Sequence, residues 1–191
     1  MTIPVTIFGS GAMGTAIGDL LTAGGAIARH IGRDDTAELA GEIVVLAVPY
    51  EALDEITGRY RDQLAGRVVV DITNPLDFET FEQLKVPAGS SAAAELQKSL
   101  PDARVLKAFN TTFAATLTSG KVGENPVTVL LAGDDHSAKQ ALSDLIVAGG
   151  LAVVDSGQLD RAHELEALGF LQLRLANDGI VDWSNGFALV R

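Results

Sequence analysis

Three glycines close to the start of the chain carry its first chemical signal. The apolar run Val5-Thr6-Ile7-Phe8 leads directly into Gly9-Ser10-Gly11-Ala12-Met13-Gly14, a G-x-G-x-x-G motif. That spacing suits a pyrophosphate: the first glycine permits a tight turn off a strand, the second lets main chain approach phosphate oxygens, and the third lets a helix pack closely on the strand. The helix that follows would point free N–H groups and a positive dipole end at the anion. Glycines also mark ordinary turns, so the context decides. Met13, Ala16, Ile17, Leu20 and Leu21 recur at i, i+3, i+4, i+7 and i+8, the pattern of an amphipathic helix. A dinucleotide site is expected here, with Gly9, Ser10, Gly11, Ala12 and Met13 around the diphosphate.

Four further segments place chemistry at the ends of apolar runs. After the second run, Gly32-Arg33 stands where an acid would take the ribose hydroxyls of NAD, and an arginine there suits the 2′-phosphate of NADP. Asp34 and Asp35 follow at once and weigh against that assignment, unless they cap a turn; the alternative for Arg33 is a solvated loop residue. The third run ends in Ala47-Val48-Pro49-Tyr50, where Pro49 suits a first helical turn and small apolar residues let main chain lie against a cofactor. The fourth ends in Asp71-Ile72-Thr73-Asn74-Pro75-Leu76, whose Asn74 offers both a donor and an acceptor to a carboxamide. The fifth ends in Lys107-Ala108-Phe109-Asn110-Thr111-Thr112, and Lys107, Asn110 and Thr111 are candidates to face a substrate. Each segment alone reads equally as turn chemistry. Their shared position outside the carboxyl ends of strands, where open α/β sheets bind ligands, favours function.

The elements that must position these residues follow from the apolar pattern. Strands are expected over Thr2–Phe8, Ala26–Ile31, Ile43–Val48, Val68–Ile72, Arg104–Ala108, Val127–Ala132 and Leu151–Val154. Short, nearly continuous apolar runs imply burial on both faces, and alternation with helical segments implies a Rossmann-type, doubly wound α/β fold with a mainly parallel sheet. The connection Gly32 to Glu42 is too short for a full crossover helix, so a loop or single turn is expected. Residues 1–155 form the expected nucleotide-binding domain, and residues 156–191 a short C-terminal helical extension. In that extension Gln158–Asn177 reads as one long helix with an apolar face of Leu165, Leu168, Leu171 and Leu175, widened by Phe170 and Leu173. Such a face packs on the sheet or on a second subunit, and Trp183–Val190 reads as a terminal strand or extended tail.

Composition narrows the classes. The chain has 191 residues, a hydrophobic fraction of 47% and a net charge of −11, enough for a real core and unfavourable to nucleic acid. With no cysteine, thiolate chemistry and cysteine–metal sites are excluded. The three histidines, His30, His136 and His163, show no metal-ligand spacing. No apolar stretch reaches the length of a membrane span and no leader precedes the first strand, so a cytoplasmic enzyme with no membrane partner is expected. His163, beside Glu164 and Glu166, is read as helix surface or subunit contact rather than as a catalyst.

Jointly, Gly9–Gly14, Ala47–Tyr50, Asp71–Leu76 and Lys107–Thr111 resemble the NADP oxidoreductase family that works with the deazaflavin coenzyme F-420, and the cytosolic reductase domain of the STEAP metalloreductases. Val129–Asp135 and Asp155-Ser156-Gly157 fit later parts of the same pattern. The resemblance implies NADP(H) on the first four strand ends, including Gly32, Arg33, Thr73, Asn74 and Pro75, and a flat flavin or deazaflavin ring stacked near Asn74 and Asn110. The expected activity is hydride transfer between NADP and that ring, which asks of the protein mainly that two planes be held together. An imine or carbonyl substrate would need a proton donor as well, for which Lys107 and Tyr50 are candidates. The alternatives are thus a reductase of a small imine or carbonyl compound and a non-catalytic NADP-binding module. A homodimer is expected through the C-terminal helix.

Overall fold

The computed structural model describes residues 3–33, 35 and 37–190. Two of the acid and strand expectations, Asp34 and Thr2, lie outside the described residues. In chain order the elements are β1 (Ile3–Phe8), α1 (Ala12–Ala23), β2 (Ala26–Ile31), β3 (Ile43–Leu46), a 3-10 turn (Tyr50–Ala52), α2 (Leu53–Leu64) and β4 (Val68–Asp71). There follow α3 (Ala92–Ser99), β5 (Arg104–Ala108), α4 (Ala114–Ser119), a small hairpin β6–β7 (Lys121–Val122 and Asn125–Pro126) and β8 (Thr128–Gly133). The chain closes with α5 (His136–Ala148), β9 (Ala152–Gly157), a 3-10 turn (Leu159–Arg161) and α6 (Ala162–Asn177).

Seven strands form one sheet in the order β2-β1-β3-β4-β5-β8-β9. From β1 the chain moves outward to β2, then returns past β1 to β3, so the strand order reverses between β1 and β3. That reversal opens a crevice at their carboxyl ends. Pairing is parallel throughout except between β5 and β8, where Leu106 faces Gly133 in an antiparallel register. The sheet is thus mainly parallel, as the apolar pattern implied, though that pattern did not place the antiparallel pair. Here α4 is short and the β6–β7 hairpin turns the chain back, so β8 enters in the opposite sense.

Strand alternation sorts the core into two layers. Val5, Ile7, Val45, Val70 and Leu106 face α1, α4 and α5, while Phe8, Val44, Leu46, Val69 and Val105 face α2 and α3. Both faces are covered, which is why β3 and β4 are buried at every residue. Between β2 and β3 the described residues form no helix, as the short connection implies. Its main chain is satisfied by side chains instead: the Thr6 hydroxyl donates to Ala40 O at 2.9 Å and accepts from Ala40 N at 3.0 Å, and Gln63 Oε1 accepts from Leu39 N at 2.9 Å. Leu39 then seals that face of the sheet.

Two further expectations shift. The long C-terminal helix begins at Ala162, after a 3-10 turn, rather than at Gln158. Its buried face is Ala162, Leu165, Glu166, Gly169, Gln172, Leu173 and Ala176, so the predicted leucine stripe is rotated: Leu171 is 50% exposed. Polar groups on the buried side find partners, Glu166 with Lys107 of β5 and Gln172 with the Thr111 carbonyl and the Phe187 N–H, which the apolar count used to choose a face leaves out. The tail beyond it passes through a turn in which Asn185 N donates to Asp182 O at 2.9 Å, and forms no strand among the described residues.

Candidate functional site

The β1–α1 turn sits at the sheet's point of reversal. Ala47 N donates to Phe8 O at 2.9 Å, locking β3 against the end of β1. Gly9 adopts φ +101, and a Cβ there would overlap Ala47 O. Gly14 abuts the main chain of Gly9 in the same way, so the start of α1 lies directly on the turn. Gly11, the N-cap of α1, differs: a Cβ there would meet nothing within 4 Å, and no side chain caps the helix. Its first turn carries no acid, which leaves a helix N-terminus presenting N–H groups to open space, an arrangement that can receive an anion. His30 braces the turn from β2, its Nδ1 donating to Gly9 O at 2.9 Å.

Two hollows flank this turn. One, of 500 Å³, is lined by Gly9, Ser10, Gly11, Gly32, Arg33 and Asp35, and by Arg59 and Tyr60 of α2. The other, of 680 Å³, is lined by Gly11, Ala12, Met13, Tyr50, Thr73, Asn74 and Asn110, with Phe78, Phe109, Phe113 and Trp183 as its aromatic walls. Gly11, Ala47, Val48 and Pro49 line both, so the hollows are two lobes of one cleft. Asp35 does not compete for a ligand freely, because its Oδ2 accepts the Gly32 N–H at 2.8 Å.

At the floor of the second lobe, Asn74 and Asn110 hold each other. Asn74 Nδ2 donates to Asn110 O at 2.9 Å, while Asn110 Nδ2 donates to Asn74 Oδ1 at 3.0 Å and to Leu165 O at 2.8 Å. The chain reaches this point through a strained turn: Phe109 has φ +65, and Asn110 N donates back to Ala108 O at 2.9 Å. Gly169 of α6 backs the pair so closely that a Cβ would overlap Asn74 Oδ1. Among the described residues, Thr73 Oγ1 and Asn110 Oδ1 are buried side-chain atoms without a hydrogen-bond partner. Buried polar atoms are nearly always paired; both residues line the second lobe, and a hydroxyl and an amide oxygen are the donor and acceptor types a carboxamide takes. Tyr50 at the lobe's side keeps its phenol proton: burial, then the charge of Asp54, pushes its pKa above the ordinary value.

Three residues expected at the cleft lie elsewhere. Lys107 is fully buried and does not line either lobe. Strand alternation turns it to the α3 side, in register with Asp71 of β4. Its Nζ pairs with Asp71 Oδ2 at 2.8 Å and Glu166 Oε1 at 2.7 Å, and donates to Thr73 O at 2.5 Å. Glu166 in turn accepts from Ala92 N at 2.8 Å, at the start of α3; burial raises its pKa, and Lys107 opposes that rise. Thr111 is buried behind the floor, its carbonyl accepting from Gln172 Nε2 at 3.3 Å, and Thr112 takes its place in the lining. Pro75 is likewise buried and absent from the lining, its carbonyl accepting the Lys85 N–H at 2.6 Å. His163 donates from Nδ1 to Ser90 O at 3.0 Å, tying α6 to the segment before α3. Arg59, Phe78, Phe113, Trp183 and Gly169 were not read as site residues; only the rarity of Trp183, the single tryptophan, was a signal in the sequence.

The sheet, the reversal at β1 and β3, and the glycine turn define a Rossmann-type α/β protein. Within that class, the chain is a relative of the coenzyme F420-dependent NADP oxidoreductases, as its motifs imply. Residues 28–75 match the family described as NADP oxidoreductase coenzyme F420-dependent. The chain is 34% identical over 127 residues to the metalloreductase STEAP3 of Rattus norvegicus, a match covering 66% of this chain and 25% of that protein. It is 30% identical over 134 residues to the F420-dependent NADP reductase of Methanocaldococcus jannaschii, covering 67% of this chain and 59% of that one. It therefore spans a quarter of the first relative and less than two thirds of the second. A candidate F420-dependent NADP-reductase from Arthrobacter sp. FB24 superposes with a TM-score of 0.83 at 25% identity, over 98% of this chain and 99% of that chain. An imine reductase from Bacillus cereus shares the fold, with a TM-score of 0.61 at 20% identity over 93% of this chain and 60% of that chain.

Proposed function

We propose that the chain is an NADP(H)-dependent oxidoreductase that passes hydride between the nicotinamide and a planar flavin- or deazaflavin-type ring. The observation that carries this reading is the two-lobed cleft joined at Gly11 and Ala47–Pro49, one lobe holding Arg33 and Arg59 among Asp35, Glu51 and Glu55, the other walled by aromatic rings. The residues present fit the dinucleotide. N–H groups at the start of α1 receive the diphosphate, Arg33 and Arg59 receive the 2′-phosphate end, and Thr73 with Asn110 receives the carboxamide. Bound there, NADPH supplies a hydride, two electrons and one hydrogen nucleus, and a proton from water completes reduction of the ring. The protein's part is to hold two planes in contact and keep water from between them. The second lobe needs no acid or base for that, and Tyr50 is its one phenol.

Assembly follows from the same reading. Leu171 on the outer face of α6 is 50% exposed and Ile180, just beyond the helix, is 69% exposed, apolar strip enough for a second copy of the chain to cover.

Stopped-flow oxidation of NADPH tests the function. Oxidation by free flavin or deazaflavin supports it. Oxidation by imines or carbonyls alone would replace it with the second chemistry, and tight NADPH binding without any turnover would make the chain a binding module.

A further inference from the structure

Three ionisable side chains are buried together outside the cleft lining. Asp71, Lys107 and Glu166 are 0%, 0% and 1% exposed, and they come from β4, β5 and α6. Taking such charges out of water is costly, and packed apolar residues would join the same three elements about as well. What apolar residues could not supply is a clamp on the Thr73 main chain. β4 ends at Asp71, so the peptide groups of Thr73 lie past its ladder. Asp71 Oδ1 accepts the Thr73 N–H at 2.8 Å, and Lys107 Nζ donates to the Thr73 carbonyl at 2.5 Å. Glu166 Oε1 holds the same ammonium at 2.7 Å.

With both main-chain groups engaged, Thr73 has one polar atom left. That atom, Oγ1, is buried without a partner in a residue that lines the second lobe. Threonine is stiff at χ1, so a fixed main chain limits where the hydroxyl can sit. The other unpartnered atom, Asn110 Oδ1, is set from the same turn of α6. Asn110 Nδ2 donates at 2.8 Å to the carbonyl of Leu165, the residue before Glu166. We propose that Lys107 is a positioning residue for the nicotinamide: with Asp71 and Glu166 it fixes the Thr73 main chain, and so holds the Thr73 hydroxyl and the Asn110 amide oxygen in the relation that receives a carboxamide. This rests on the NADP(H) oxidoreductase reading and adds the group that sets its nicotinamide end. Lys107 lines neither lobe, so it acts through Thr73 and not by contact.

2′-Phospho-ADP-ribose carries the adenine, 2′-phosphate and diphosphate of NADP but no nicotinamide, so titrating both ligands isolates the carboxamide end. The double variant Lys107→Met with Asp71→Asn removes both charges of one pair together and leaves no unpaired lysine buried. Its affinity for NADP should fall about tenfold, while that for 2′-phospho-ADP-ribose stays within about twofold of wild type. Thr73→Val should weaken NADP to the same extent, and adding it to the double variant should cost nothing further, since both act through one hydroxyl. Where the double variant does not fold, Lys107→Gln, whose amide stops one bond short of the Thr73 carbonyl, carries the same expectation. Equal losses for the two ligands make the buried triad purely structural and overturn the inference, as does unchanged NADP affinity, and both leave the reductase reading intact. A wild-type chain that binds neither ligand overturns both.

Discussion

At the scale of single residues, the glycine turn separates two jobs that one motif performs. Gly9 is a matter of folding: φ +101 and the overlap with Ala47 O mean that Gly9→Ala strains the chain whether or not ligand binds. Gly11 meets no such folding demand, since its φ of −71 is ordinary and the space beside it is open, and the proposed role left to it is binding. Gly11→Leu should therefore fold with a stability change below about 1 kcal/mol, yet bind NADPH at least about tenfold more weakly, because the side chain takes the room a diphosphate needs. Chemical denaturation paired with a binding titration checks both halves, and unaltered affinity would remove the basis of the proposed site. Arg33 bears on which dinucleotide is used. Arg33→Ala should weaken NADPH about tenfold more than NADH, as expected on losing a charge-assisted contact to phosphate. Equal losses in parallel titrations would return Arg33 to the status of a solvated loop residue.

At the scale of elements, α6 is tied to the sheet by charge as much as by apolar contact. Lys107 of β5 joins Asp71 of β4 and Glu166 of α6 with all three side chains buried, and Glu166 also receives the N-terminus of α3. A buried ion pair adds little beyond well-packed apolar residues, but breaking one by removing a partner is costly. Lys107→Met should thus lower stability by about 3–5 kcal/mol, measured by urea unfolding, with NADPH affinity reduced through movement of Thr73. Glu166 adds a pH dependence whose sign follows from burial. Its folded carboxyl titrates above the unfolded value, so the folded chain binds that proton more tightly. The resulting stabilisation is complete below the unfolded pKa and is lost as pH rises through the folded one. Glu166→Gln should flatten the fall in stability as pH rises above the ordinary carboxylate range. A wild-type profile that rises there, and a variant profile of the same slope, would contradict the assignment.

For the whole molecule, the question is what covers the outer face of α6. Leu171 is exposed, so Leu171→Glu should leave the monomer's fold untouched while shifting the elution of a dimer to that of a monomer. If sedimentation shows one mass for both proteins, the strip is not the contact. The site's legibility can be judged at the same scale. That the glycine turn, Arg33, Ala47–Tyr50 and Asn74 line one cleft was legible because each follows a strand in its own local segment. Lys107 could not be placed, since the residue lies at a strand end and only the register with Asp71 shows which face it takes. Phe78 and Trp183 were missed because they come from a loop and a tail that meet the cleft only after folding.

Local rules acted on the sequence directly. The strand-to-glycine turn, the helix period after it, the short Gly32–Glu42 connection and the apolar strands are dictated by backbone sterics and side-chain periodicity within a few residues. Tertiary structure decided the rest: the antiparallel entry of β8, the rotation of α6 toward Glu166 and Gly169, and the burial of Lys107. These depend on which distant groups meet. Neither hydrophobic pattern nor turn chemistry encodes the partner that satisfies a buried charge, and here that partner lies on another strand and another helix.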